Sequence, residues 1–101
     1  DAPVAVIVTF DKELQDEDIS KFDCGAAVNG LVNAAWSKGL GSVINSQGIM
    51  QSPVVREHAK IPEDQVIMIC VAMGYPDDNF PANKVVSKRR SVSEVATFIG
   101  F

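Results

Sequence analysis

DCGAAVNGLVNAAWSKGLGS, residues 23–42, decides how the rest of the chain is read. Residues 23–38 read as a helix, with no proline and with apolar residues too dense for a single stripe: Ala26, Ala27, Val28, Leu31, Val32, Ala34, Ala35 and Trp36. A helix apolar on most sides is a buried one. Asp23 is suited to cap its first turn, because a carboxylate accepts from free backbone N–H groups and complements the positive end of the helix dipole. Lys38 complements the negative end, and Gly39 can take the left-handed backbone angles that close a helix. Gly25, Ala26, Ala27, Gly30, Ala34 and Ala35 carry little bulk, so a second backbone can approach closely. Gly25 and Gly30 each weaken the isolated helix by about 1 kcal/mol, so packing must supply its stability.

On the N-terminal side, PVAVIVTF (residues 3–10) is β-branched and almost continuously apolar, which predicts a strand buried on both faces. Residues 11–21 are acidic and polar, and read as a solvated loop with at most a helical turn. On the C-terminal side, SVIN (residues 42–45) is a short strand followed by a turn at Ser46-Gln47-Gly48. Ser52 as N-cap and Pro53 as first helical residue predict a short helix through Ala59, ended by Lys60-Ile61-Pro62. VIMICVAM (residues 66–73) is a second buried strand, stopped by Gly74 and Pro76. Residues 77–84 form a loop, and in the tail SVSEVATFIGF Ser93 is expected to cap a brief turn. That tail ends in Phe98, Ile99 and Phe101, a terminus expected to dock rather than stay in water.

The 101 residues allow one domain, yet 47% of them are hydrophobic and the mean hydropathy is +0.11. That is apolar for so small a chain, so part of its apolar surface is expected to meet another chain or a further segment. No apolar run approaches the ~20 residues needed to cross a bilayer, and no targeting segment is visible, so no membrane partner is expected. Two cysteines, Cys24 and Cys70, have no close pairing and no zinc spacing. Buried, reduced thiols in a cytoplasmic protein are the expectation, with no metal site. A net charge of −4 argues against a nucleic-acid partner. Charge is nevertheless uneven: acids crowd residues 11–23, whereas Lys84, Lys88, Arg89 and Arg90 gather near the C-terminus.

Few residues carry obvious chemistry. His58, the single histidine, sits beside Arg56 and Glu57 with no nucleophile placed near it by spacing, and reads as a surface residue. Asp77 and Asp78 lie in a proline-flanked loop and read as a solvated turn. Gly39-Leu40-Gly41-Ser42 follows a helix and opens a strand, the reverse of a dinucleotide-binding fingerprint, so it reads as a helix-ending turn. No catalytic acid, base or nucleophile is assigned. The basic cluster reads either as a solvated face or as a site where Lys88 or Arg89 gives charge-assisted hydrogen bonds to a phosphate.

At this point the chain resembles the C-terminal half of the FMN-dependent nitroreductase family. The resemblance is carried by DCGAAVNGLVNAAWSKGLGS, VINSQGI, SPVVREHAKIPEDQVIMICVAMGYP and VVSKRRSVSEVATFIGF, in the family's order and spacing over nearly all of residues 23–101. It implies that the first segment is a central helix at a homodimer interface. It implies that Ile44, Asn45, Ser46, Gln47 and Gly48 run beside the isoalloxazine ring and meet it largely through backbone groups. It also implies that Ser87, Lys88 and Arg89 reach the FMN phosphate. The family's Lys-x-Arg falls on Ser87-Lys88-Arg89, so Arg89 matches while Ser87 departs from the lysine. The family's N-terminal half, with its arginine- and serine-rich phosphate segment, has no counterpart here. Residues 1–101 are therefore expected to be the C-terminal half of one nitroreductase-like domain that begins mid-fold.

The fold class expected is α+β, a mixed, mainly antiparallel sheet flanked by helices. The activity implied is hydride transfer from NADH or NADPH through FMN to a nitroaromatic or quinone-like acceptor, the flavin supplying the chemistry while the protein holds it. The fragment alone is expected to be inactive. Two other classes fit the residues: a non-catalytic dimerisation module that has lost the cofactor, and a small anion-binding protein built on the basic cluster.

Overall fold

The computed structural model describes residues 2–100. Its centre is β3, Gln65–Gly74, which pairs antiparallel with β1, Val4–Asp11, on one side and with β2, Gly41–Asn45, on the other. Val71 is the hub of the register, opposite Val6 on β1 and Ile44 on β2, and its side chain is fully buried. A bulge between Val8 and Thr9 shifts the β1 register where it passes Ile69 and Ile67. Among the described residues every pairing is antiparallel, and helices flank the sheet. The α+β class is therefore as expected.

The helix α1, Asp18–Ser37, starts earlier than the sequence reading placed it. Asp23 is interior rather than a cap, because nothing in Ile19-Ser20-Lys21-Phe22 breaks a helix. Asp18 supplies the acidic first-turn residue and pairs with Lys21 at 3.2 Å. Ser20, which composition alone would put in water, is buried, and its Oγ donates to the carbonyls of Leu14 at 3.0 Å and Glu17 at 2.7 Å. The helical turn expected between β1 and α1 is the 3-10 turn Lys12–Leu14, and the expected loop is shortened because α1 already begins at Asp18.

Nor is α1 buried on most sides within this chain. One face carries Val28, Leu31, Val32 and Ala35 onto Val6, Val8, Ile69, Val71 and Met73, and Cys24 is buried as well. The opposite side leaves Ile19, Phe22 and Trp36 exposed, the last two at 72%. The apolar density therefore exceeds what this chain itself buries, since three strands can cover only one side of a helix. The same limit corrects β1, which is an edge strand and half-buried at best instead of covered on both faces.

The helix end matches its sequence signal. Gly39 takes φ +77°, the Gly39 N–H donates to Trp36 O at 2.9 Å, and the Leu40 N–H donates to Ala35 O at 3.0 Å. These paired bonds satisfy carbonyls that a helix terminus would otherwise orphan. The next helix, α2, Ser52–Ala59, has Gln51 rather than Ser52 as N-cap, and Ser52 and Pro53 occupy its first turn. It stops at Lys60, whose φ of 54° is left-handed, before Pro62 is reached.

Beyond β3 the described residues 75–100 are exposed throughout. They hold a 3-10 turn, Pro81–Lys84, and a short helix α3, Val92–Val95, capped by Ser91 rather than Ser93. The radius of gyration, 16.8 Å, exceeds the roughly 13 Å of a compact chain this long. The tail therefore does not fold back over its own sheet. Phe98 and Ile99 are exposed, and Phe101 lies outside the described residues.

Candidate functional site

The end of β2 is the best-defined site feature. Asn45 sits opposite Cys70 in the ladder, and its Oδ1 turns back to accept a 2.8 Å hydrogen bond from the Gly48 N–H. An amide side chain that closes its own following turn fixes the backbone more firmly than a bare loop. Ser46 leads into a 3-10 turn, Gln47–Ile49, in which the Ile49 N–H donates to Ser46 O at 3.1 Å. Ser46, Gln47 and Gly48 are exposed, whereas Asn45 is half-buried.

Gly48 is required by a close approach. A Cβ built there would stand 2.7 Å from both the Cβ and the Sγ of Cys70, and 3.0 Å from Asn45 Oδ1. One side of Gly48 therefore rests on the Cys70 thiol while the turn around it faces solvent. Both cysteines are free and buried, as their spacing suggested. The seat that Cys70 provides was not legible in the sequence, because it depends on which residue the ladder sets opposite Asn45.

Ser87, Lys88 and Arg89 lie in exposed, irregular chain between the 3-10 turn at Pro81–Lys84 and α3. The Arg89 Nη1 donates to Lys88 O at 3.2 Å, and among the described residues no bond joins this stretch to the Asn45–Gly48 turn. The Asn45–Gly48 turn and the Ser87–Arg89 stretch are thus not brought together within one chain. The segment is held at its C-terminal end by α3. Glu94 accepts from the Ser91 Oγ at 2.6 Å and the Ser91 N–H at 2.8 Å. These bonds, the hydroxyl's first, hold its carboxyl below the ordinary glutamate pKa of 4.5.

The other residues weighed for chemistry are structural. His58 is exposed on α2. Asp77 Oδ1 accepts from the Asn79 N–H at 3.0 Å, and the Asn83 amide donates to Asp77 O at 2.7 Å, which makes residues 77–83 a self-bonded turn. Arg56 is spent on the carbonyls of Ile61, Pro62 and Gln65. Among the described residues no group of acids, histidines and cysteines is placed to hold a metal, and no helix is long and apolar enough to cross a membrane.

Comparison with known proteins gives the family and the fold. The sequence model of the Nitroreductase family matches residues 1–75. The nitrobenzene nitroreductase of Ectopseudomonas oleovorans is 30% identical over 100 residues, a match that covers 98% of this chain and 43% of that protein. The chloronitrobenzene nitroreductase of Comamonas testosteroni is 29% identical with the same coverage. Among solved structures, the FMN and NADPH-dependent nitroreductase of Sphigopyxis sp. strain HMH superposes with a TM-score of 0.84 at 23% identity, over 99% of this chain and 44% of that one. A Desulfovibrio desulfuricans protein in complex with FMN superposes with a TM-score of 0.74 at 25% identity, over 99% and 56%. The chain thus spans less than half the length of the curated relatives it matches.

Proposed function

From the premise that this chain belongs to the nitroreductase family, we propose that residues 1–101 are the C-terminal half of a single, larger FMN-dependent oxidoreductase domain. The complete protein would pass hydride from NADH or NADPH through FMN to a nitroaromatic or quinone-like acceptor, as a cytoplasmic homodimer. One observation carries this reading. The match to the nitrobenzene nitroreductase runs through 98% of the chain, and so through both the Asn45–Gly48 turn and the Ser87–Arg89 stretch.

The residues present fit the cofactor. Asn45, Ser46, Gln47 and Gly48 offer neutral amide, hydroxyl and main-chain groups to the polar edge of a flavin ring. Ser87, Lys88 and Arg89 offer a hydroxyl and two cations, the chemistry that a phosphate requires. FMN, when bound, supplies the two-electron transfer, and the chain holds it without contributing an acid or base. In a dimer the exposed side of α1, with Phe22 and Trp36, would be covered by a second copy, as would the apolar tail.

The test is spectroscopic. Purified full-length protein is expected to carry flavin absorbance near one FMN per chain and to oxidise NADPH or NADH when nitrobenzene is added. Flavin-free, stably dimeric protein would instead favour the dimerisation module. Flavin-free protein that binds inorganic phosphate through Arg89 would favour the anion-binding reading.

A further inference from the structure

We infer that Cys70 is a positioning residue for the Asn45–Gly48 turn, and that the pairing of a thiol at 70 with a glycine at 48 sets how closely that turn sits on the sheet; the inference rests on the reading of this turn as the flavin-side segment. Three observations converge on it. Cys70 is 3% exposed and lies opposite Asn45 in the β2–β3 register. Asn45 Oδ1 holds the Gly48 N–H at 2.8 Å, so the turn has little slack to move away from the sheet. A methyl at position 48 would meet Cys70 Cβ and Sγ at 2.7 Å, closer than real carbon atoms approach.

The consequence is specific. A side chain at 48 cannot be absorbed locally, since it meets both the Cβ and the thiol of Cys70 and, at 3.0 Å, the Asn45 side-chain oxygen Oδ1. It must lift the backbone of Ser46, Gln47 and Gly48 toward solvent, into the space assigned to the flavin ring. Cys70→Gly removes the obstacle without touching any group that faces the ring, whereas Cys70→Ala would keep the Cβ that stands at 2.7 Å. Cys70 thus acts through the turn, by bulk and not by thiol chemistry.

The experiment is a double-mutant cycle in the full-length protein: Gly48→Ala, Cys70→Gly, the double variant, and Cys70→Ser as the near-isosteric control. Read out are FMN affinity by fluorescence titration, the FMN midpoint potential, and the urea midpoint of the flavin-free protein. Gly48→Ala is expected to weaken FMN at least tenfold and to shift the potential, Cys70→Ser to change neither, and the double variant to return FMN affinity to within about threefold of the parent. A double variant no better than Gly48→Ala would overturn the inference while leaving the flavin reading intact. A parent protein that binds no FMN overturns that reading and the flavin-positioning role together. The urea cycle then decides the seat alone: additive midpoints overturn it, and a smaller cost of Gly48→Ala in the Cys70→Gly background supports it.

Discussion

Arg56 Nη2 donates a 2.8 Å hydrogen bond to the main-chain carbonyl of Gln65, and so ties the last turn of α2 to the first residue of β3. The same guanidinium reaches the carbonyls of Ile61 and Pro62, and Glu63 lies 4.0 Å from Nε. Gln65 passes the connection on: its Oε1 accepts from Thr9 Oγ1 at 2.9 Å, and its amide donates to Asp11. A guanidinium spreads its donors over a rigid planar fork, whereas an ammonium offers them from a single nitrogen on a flexible stem. Arg56→Ala is expected to lower stability by about 1.5–3 kcal/mol, and Arg56→Lys to recover less than half of that, as read from urea unfolding midpoints. Equal stability of parent and Arg56→Ala would show that the fork is replaceable by water.

Asn45→Ala removes the acceptor of the Gly48 N–H without adding bulk. The expected cost is about 1 kcal/mol of stability, with weaker FMN binding in the full-length protein. Asn45→Asp keeps the acceptor and should retain most of the stability, which separates loss of the bond from loss of side-chain volume.

Gly30 offers a direct test of the α1 interface, because a Cβ there meets nothing within 4 Å in this chain. In a monomer Gly30→Ala should therefore stabilise the helix by roughly 0.5–1 kcal/mol. In the proposed homodimer a larger residue such as Gly30→Leu should overpack the partner's backbone, costing about 1–3 kcal/mol. Sedimentation of the parent and both variants at micromolar concentration decides the matter: a dimer indifferent to Gly30→Leu would place the interface elsewhere.

Arg89→Ala in the full-length protein is expected to weaken FMN by roughly 10- to 150-fold, the equivalent of one charge-assisted hydrogen bond of about 1.5–3 kcal/mol. Arg90→Ala should weaken it less, because the family resemblance aligns its phosphate-binding arginine with Arg89. Equal losses would reduce the site to general electrostatics, measurable as a common salt dependence.

Glu94 gives a pH signature. Its carboxyl is held below the ordinary value of 4.5 by the Ser91 hydroxyl and N–H, so the charged form favours the capped turn. A depressed folded-state pKa contributes stability that is present above the unfolded value and is lost as pH falls through the folded one. The turn Val92–Val95 is therefore expected to fray on acidification below about pH 4.5, while α1 and the sheet persist. The Ser91 amide shift, followed by NMR against pH, reads this directly, and Glu94→Gln should abolish its titration.

Several features were legible in the residues alone, each because its cause is local. The near-continuous apolar run of VIMICVAM marks a strand wherever it is placed, and β3 occupies Gln65–Gly74. Gly39 ends α1 because it takes backbone angles that other residues resist, and that choice needs no tertiary contact. The family resemblance, spread over four segments in order, rested on such local signals and agreed with the match to residues 1–75. What only the tertiary structure decided depends on pairing between distant residues. That β3 is central and β1 an edge follows from strand order, which no strand's own composition encodes. Which side of α1 is buried follows from the one face that three strands can cover, so Cys24, Val28 and Ala35 are covered while Phe22 and Trp36 are not. And Gly48 rests on Cys70 because the ladder sets Cys70 opposite Asn45. A register of hydrogen bonds between strands 25 residues apart is a property of the folded sheet, where side chains separated along the chain first share the same few ångströms.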